Sequence, residues 1–109
     1  MPLPEWLHVK SPLRELPLAL VTHQHHAGER SALALAQEIP GSLLVLDDAP
    51  ARQLAALLHL TFTGTVGILI LAKARGRLPL LRRVLAELRA AGMWLAESVV
   101  ERACREAGE

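Results

Sequence analysis

The segment SLLVLDDAPAR, residues 42–52, decides how this chain is read: an apolar strand from Leu43 to Leu46 stops on Asp47 and Asp48 and runs into a helix-forming stretch. In an open α/β sheet, side chains at the carboxyl ends of strands line the crevice where ligands bind, which places Asp47 and Asp48 well for a cation or a phosphate. Asp is also a favoured helix N-cap. Asp48, just before Ala49 and Pro50, fits that role because proline is accepted in the first helical turn. Taken alone, the segment favours the cap over the functional carboxylate.

Outward from it, helix and strand alternate. Residues 29–38, ERSALALAQE, are good helix formers that Pro40-Gly41 brings to an end before the strand. A second helix from about Ala49 to His59 places Leu54, Leu57 and Leu58 on one face, and Leu60 to Phe62 offers a very short strand. Such alternation predicts a parallel sheet with helices packed on it. The stretch TGTVGILILAKARG, residues 63–76, is read as a helix with Thr at its N-cap, Gly67 allowing close packing and Gly76 ending it; its uniform apolarity predicts a central position. Residues 78–91 form the clearest helix, with Leu81, Val84, Leu85 and Leu88 at i, i+3, i+4 and i+7, stopped by Gly92. WLHVK, residues 6–10, and MWLA, residues 93–96, are expected as short strands, with Ser98 capping a last helix. Pro12 and Pro17 disfavour a continuous element between the first strand and the loop VTHQHHAG, residues 21–28.

At 109 residues the chain has room for one domain, near the lower end for an α/β enzyme. Twelve Lys and Arg against 11 Asp and Glu leave a formal charge of +1, which neither demands nor excludes a nucleic-acid partner. Lys73, Arg75, Arg77, Arg82, Arg83 and Arg89 crowd one region; a solvated helix face is the favoured reading, a track for a phosphate backbone the other. The single cysteine, Cys104, excludes an internal disulfide, suits a reducing compartment and falls at helical spacing with Val99, Val100 and Ala103, as an apolar filler. No signal peptide is visible, and the longest apolar run, residues 66–72, is too short to span a bilayer; a cytoplasmic protein with no membrane partner is expected. His23, His25 and His26 invite a metal, yet no other Cys or His completes a zinc spacing, and a solvated loop is favoured.

Three segments read together carry more than a generic α/β domain: GERSALALAQE from Gly28, LLVLDDAPARQLA from Leu43 and TFTGTVGILILAKARG from Thr61. In this order and spacing they resemble the carboxyl-terminal half of PIN-domain proteins, in particular a prokaryotic subgroup with a Gly-Glu opening a helix, a strand ending Asp-Asp, and a Thr-Gly-Thr turn. The resemblance implies a truncated PIN-like three-layer fold, with a short, mostly parallel sheet flanked by helices. It also implies a metal-dependent ribonuclease related to toxins of toxin–antitoxin pairs, with Mg²⁺ or Mn²⁺ held by carboxylates. Hard divalent cations prefer oxygen ligands, and a carboxylate cluster can hold them against a phosphodiester. By this resemblance Glu29 is the acid at the start of its helix, and Asp47, with Asp48, the acid at the strand end. Thr63 and Thr65 shape the turn, Thr63 within reach of metal-bound water or phosphate. On the residues alone, Glu29 reads as a first-turn acid favoured by the helix dipole.

The family pattern begins with a strand carrying a central Asp and with helices that supply another acid, and the chain has neither; Glu5 and Glu15 sit in no matching motif. Two functions of different class follow as expectations. One is a ribonuclease active only when another chain supplies the missing acids. The other is a non-catalytic, PIN-derived interaction module. A sheet lacking a central strand exposes unpaired backbone, so a homodimer is expected in either case, with RNA, an antitoxin or the complementary chain as further partners.

Overall fold

Elements follow one another in the computed structural model, which describes residues 2–109, as a 3-10 turn at Leu18–Leu20, α1 at Ala27–Glu38, β1 at Leu44–Val45, α2 at Ala49–Leu57, β2 at Phe62–Thr63, α3 at Thr65–Ala74, α4 at Leu81–Ala90 and α5 at Glu97–Glu106. β1 and β2 pair in parallel, with the Leu44 N–H donating to the Thr61 carbonyl at 2.9 Å. The class is α/β, as the alternation of elements required. Two compact units divide the chain, one ending at Phe62 and one beginning at Thr63, and each has a core of its own.

The first unit is built on period. Leu44 and Leu46 are buried while Leu43 and Val45 are exposed, the two-residue alternation of a strand with one covered face. Ala51, Leu54 and Ala55 recur at i, i+3 and i+4 on α2 and join Leu33, Ala34 and Ala36 of α1, with Leu16, in one apolar cluster. At the end of α2, His59 takes φ 59°, and the Leu60 N–H turns back to the Ala55 carbonyl at 2.9 Å. Left-handed backbone at a helix end satisfies carbonyls that would otherwise be orphaned, usually through glycine.

The second unit is a three-helix packing. Leu81, Leu85, Val100, Ala103 and Cys104 are buried together, and Val66, Leu69, Ile70 and Leu88 pack against them. Cys104 is the buried apolar filler its spacing indicated. Gly67 is required by a close approach, because a Cβ there would collide with the Thr63 hydroxyl.

Several expected details are corrected. Residues 6–10 are not a strand: Trp6 and Val9 are 77% and 86% exposed, and an extended segment with nothing to pair against gains no ladder. Residues 93–96 are not a strand either, because the Met93 N–H closes α4 on the Leu88 carbonyl and the Leu95 carbonyl is taken by the Arg89 guanidinium. The short strand expected at Leu60 to Phe62 lies instead at Phe62–Thr63, and α1 begins inside the expected loop, at Ala27. α4 starts at Leu81 rather than Leu78, since Pro79 disfavours helical backbone in the residue before it. Gly64, rather than a Thr, is the N-cap of α3, and Ala96, not Ser98, that of α5. α3 is not a central helix; it has no fully buried residue, because a helix apolar all round can bury only the side that meets α4 and α5.

Candidate functional site

β1 and α2 position the acidic pair. Asp47 and Asp48 occupy the connection from strand to helix, Asp47 exposed and Asp48 half-buried. Asp48 has the extended backbone of an N-cap, φ −78° and ψ 128°, with Pro50 in the first turn, and its carboxylate accepts from the Ala51 N–H at 3.1 Å. The cap predicted for Asp48 is therefore formed, and it occupies one of the carboxylate's oxygens. Arg52, on the next turn, lies over the Phe62 ring at 5.5 Å, a cation–π contact between α2 and β2.

Glu29 is the third residue of α1, and its carboxylate turns back to accept from the His26 N–H at 3.4 Å. This is the reciprocal arrangement of a capping box, which satisfies a backbone donor that the helix itself cannot. Negative charge in the first turn also suits the helix dipole.

Of the three loop histidines, His25 is tied down by its surroundings. His25 Nδ1 accepts from the Thr22 N–H at 3.1 Å, and its Nε2 lies 3.2 Å from the Pro50 carbonyl, so the neutral Nε2–H tautomer fits both contacts and ties the loop to the first turn of α2. Among the described residues no group of three or more His, Cys, Asp or Glu is arranged to hold a metal ion. A cleft of about 190 Å³ in the same unit, lined by Pro12, Glu15, Arg30 and Ser31 among others, does not include the acidic pair.

Thr63 and Thr65 lie in the second unit. Thr63, in β2, is half-buried with its hydroxyl set over Gly67, and Thr65 opens α3.

Two carboxylates with demanding roles were invisible in the sequence. Glu38 accepts from the Leu13 N–H with both oxygens, at 2.5 and 2.9 Å. Glu109 accepts from the Leu81 and Arg82 N–H groups at 2.5 and 3.0 Å and meets Lys73 at 3.2 Å, which caps α4 from outside it. Hydrogen bonds from Arg82 and then Leu81, with Lys73 beside them, hold the Glu109 carboxyl below its ordinary value. Each partner lies 25 or more residues away, and no local motif encodes that.

Compared with known proteins, residues 3–109 match the model of a family, DUF3368, described as a PIN domain. No curated protein and no solved structure matches the chain significantly.

Proposed function

This chain belongs to the PIN-domain family, a nuclease-type superfamily, and we propose that it serves metal-dependent hydrolysis of RNA phosphodiesters only together with carboxylates beyond its own. PIN domains generally use divalent metals. The donors here are of the right chemistry, hard oxygen, but their arrangement does not fit a resident ion. Asp48 is engaged in a helix cap, Glu29 in a capping box, and no cluster of three acids forms among the described residues. A hard cation that must exchange its water for oxygen ligands needs several of them converging. Asp47, exposed at the end of β1, is the residue proposed to contribute to a completed site, with Asp48 fixing the helix start that follows it and Glu29 fixing the start of α1.

The non-convergence of these three carboxylates carries this reading. Its test is incubation of the purified chain with single-stranded RNA and Mn²⁺. No cleavage is expected from the chain alone. Mn²⁺-dependent cleavage that Asp47→Ala abolishes would sink the claim that further acids are needed.

A second reading, a non-catalytic interaction module acting as a homodimer, is favoured by one observation: Leu43 and Val45 stand 48% and 51% exposed on the bare face of β1. Apolar side chains on a strand are an invitation to a second surface. Light scattering is expected to give the mass of a dimer at micromolar concentration, and a monomer would contradict this reading.

A further inference from the structure

Charge is distributed along this chain with one conspicuous gap. Between Asp48 and Glu87 there is no acidic residue, while Arg52, Lys73, Arg75, Arg77, Arg82 and Arg83 all fall inside that interval. Five of the six lie in the second unit, and besides Lys73, at the end of α3, the four arginines Arg75, Arg77, Arg82 and Arg83 are gathered where α3 turns into α4. The Gly76 backbone at φ +72° lets the chain reverse, with the Arg77 N–H closing on the Ala72 carbonyl at 2.8 Å, so that Arg75 and Arg77 flank the tip of the turn. Arg82 and Arg83 follow in the first turn of α4. All four are exposed.

The turn is braced from beneath. Lys73 Nζ donates to the Pro79 carbonyl at 2.6 Å and pairs with Glu109, whose carboxylate is in turn occupied by the Leu81 and Arg82 backbone N–H groups. Lys73 and Glu109 thus neutralise one another within the scaffold. No described ion pair or hydrogen bond engages the guanidinium of Arg75, Arg77 or Arg82, and Arg83 makes only a long, solvated pair with Glu87 at 3.7 Å. Such a pair contributes little. What remains is a hydrogen-bonded turn bearing guanidinium groups without a close ion-pair partner, a charge arrangement that attracts polyanions and suits bidentate contact with phosphate.

We infer that Arg75, Arg77, Arg82 and Arg83 form a docking surface for the phosphate backbone of single-stranded RNA. The choice of ligand rests on the nuclease-type reading above; the place rests on charge and exposure alone. An anionic membrane is the weaker occupant. Membrane-lying helices insert an apolar face, and on α4 that face is already used, Leu81 being 0% and Leu85 1% exposed. Guanidinium planes can, in addition, stack on unpaired bases.

The experiment is fluorescence anisotropy of a labelled single-stranded RNA with the whole chain, in EDTA, across a salt series. Without divalent metal the readout is independent of hydrolysis, so failed binding and failed cleavage are separate outcomes. Binding is expected to weaken linearly on logarithmic axes. Because each neutralised phosphate of a single strand contributes a slope of about 0.7, replacing all four residues (R75Q, R77Q, R82Q, R83Q) should flatten the slope by about 3. The pairs R75Q/R77Q and R82Q/R83Q should each remove about half of that, which keeps the test decisive if the fourfold variant folds poorly. Lys10→Gln with Arg14→Gln should leave the slope unchanged. An unaltered slope in the paired variants overturns the inference. So does absence of RNA binding at about 50 mM salt, or capture by phosphatidylserine vesicles that excess RNA does not relieve.

Discussion

The Asp48 carboxylate accepts from the Ala51 N–H, three residues along, at 3.1 Å. That bond separates the two roles open to the acidic pair, because a carboxylate holding a helix terminus is structural whether or not a metal is near. Asp48→Ala is expected to lower stability by about 1 kcal/mol, and Asp48→Asn to restore most of it, since Asn caps about as well as Asp. Urea unfolding of the two variants measures this. Equal losses would mean that the negative charge, rather than the cap, is what matters.

Thr63 and Gly67 depend on each other. A methyl at position 67 would strike the Thr63 hydroxyl, whereas the Thr63 Cβ lies at ordinary contact distance. Gly67→Ala should therefore destabilise by roughly 1–3 kcal/mol, the usual range for overpacking. Adding Thr63→Ala should recover most of that, despite the gain in helix propensity from alanine being the same in both backgrounds. Strictly additive effects in the double-mutant cycle would contradict the contact.

Glu109 sets an acid limit on the second unit. Its carboxyl is held below the ordinary 4.5, first by the Arg82 N–H, then by the Leu81 N–H, with Lys73 assisting. A carboxyl depressed in the folded state stabilises fully above its unfolded value and loses that contribution as pH falls through its folded value. The stability difference between the native chain and Glu109→Gln is thus expected to be constant above about pH 5 and to shrink below 4.5. Denaturant titrations across that window check it, and a difference that does not vary with pH would refute the role.

Period and punctuation made much of this architecture legible. Leu81 with Leu85, and Val100 with Ala103 and Cys104, lie on the buried stripes that helical spacing requires, whereas on α2 Leu54 is buried beside Ala51 and Ala55 while Leu57, expected on the same face, stands 65% exposed. The cap at Asp48 and the turn at Gly76 were written locally, in residues whose side chain or backbone freedom suits only a few conformations. Residues 6–10 and 93–96 failed because a strand is defined by its neighbour, and β-branched or aromatic content says nothing about whether a neighbour exists. Uniform apolarity misled at α3 for a related reason, since burial depends on how many elements surround a helix. At the acidic pair, the sequence motifs pointed to the family, and residues 3–109 match it. They could not reveal that Glu29 and Asp48 are engaged by the backbone, because the motif spacing of a ligand and that of a cap coincide there.

The most direct measurement is a calorimetric titration of the purified chain with Mn²⁺ at neutral pH. Carboxylates that do not converge leave each ion to one or two weak ligands, so no saturable heat is expected below about 1 mM Mn²⁺. A stoichiometric site of micromolar affinity that disappears in Asp47→Ala would contradict the account, showing that Glu29, Asp47 and Asp48 assemble a metal centre unaided.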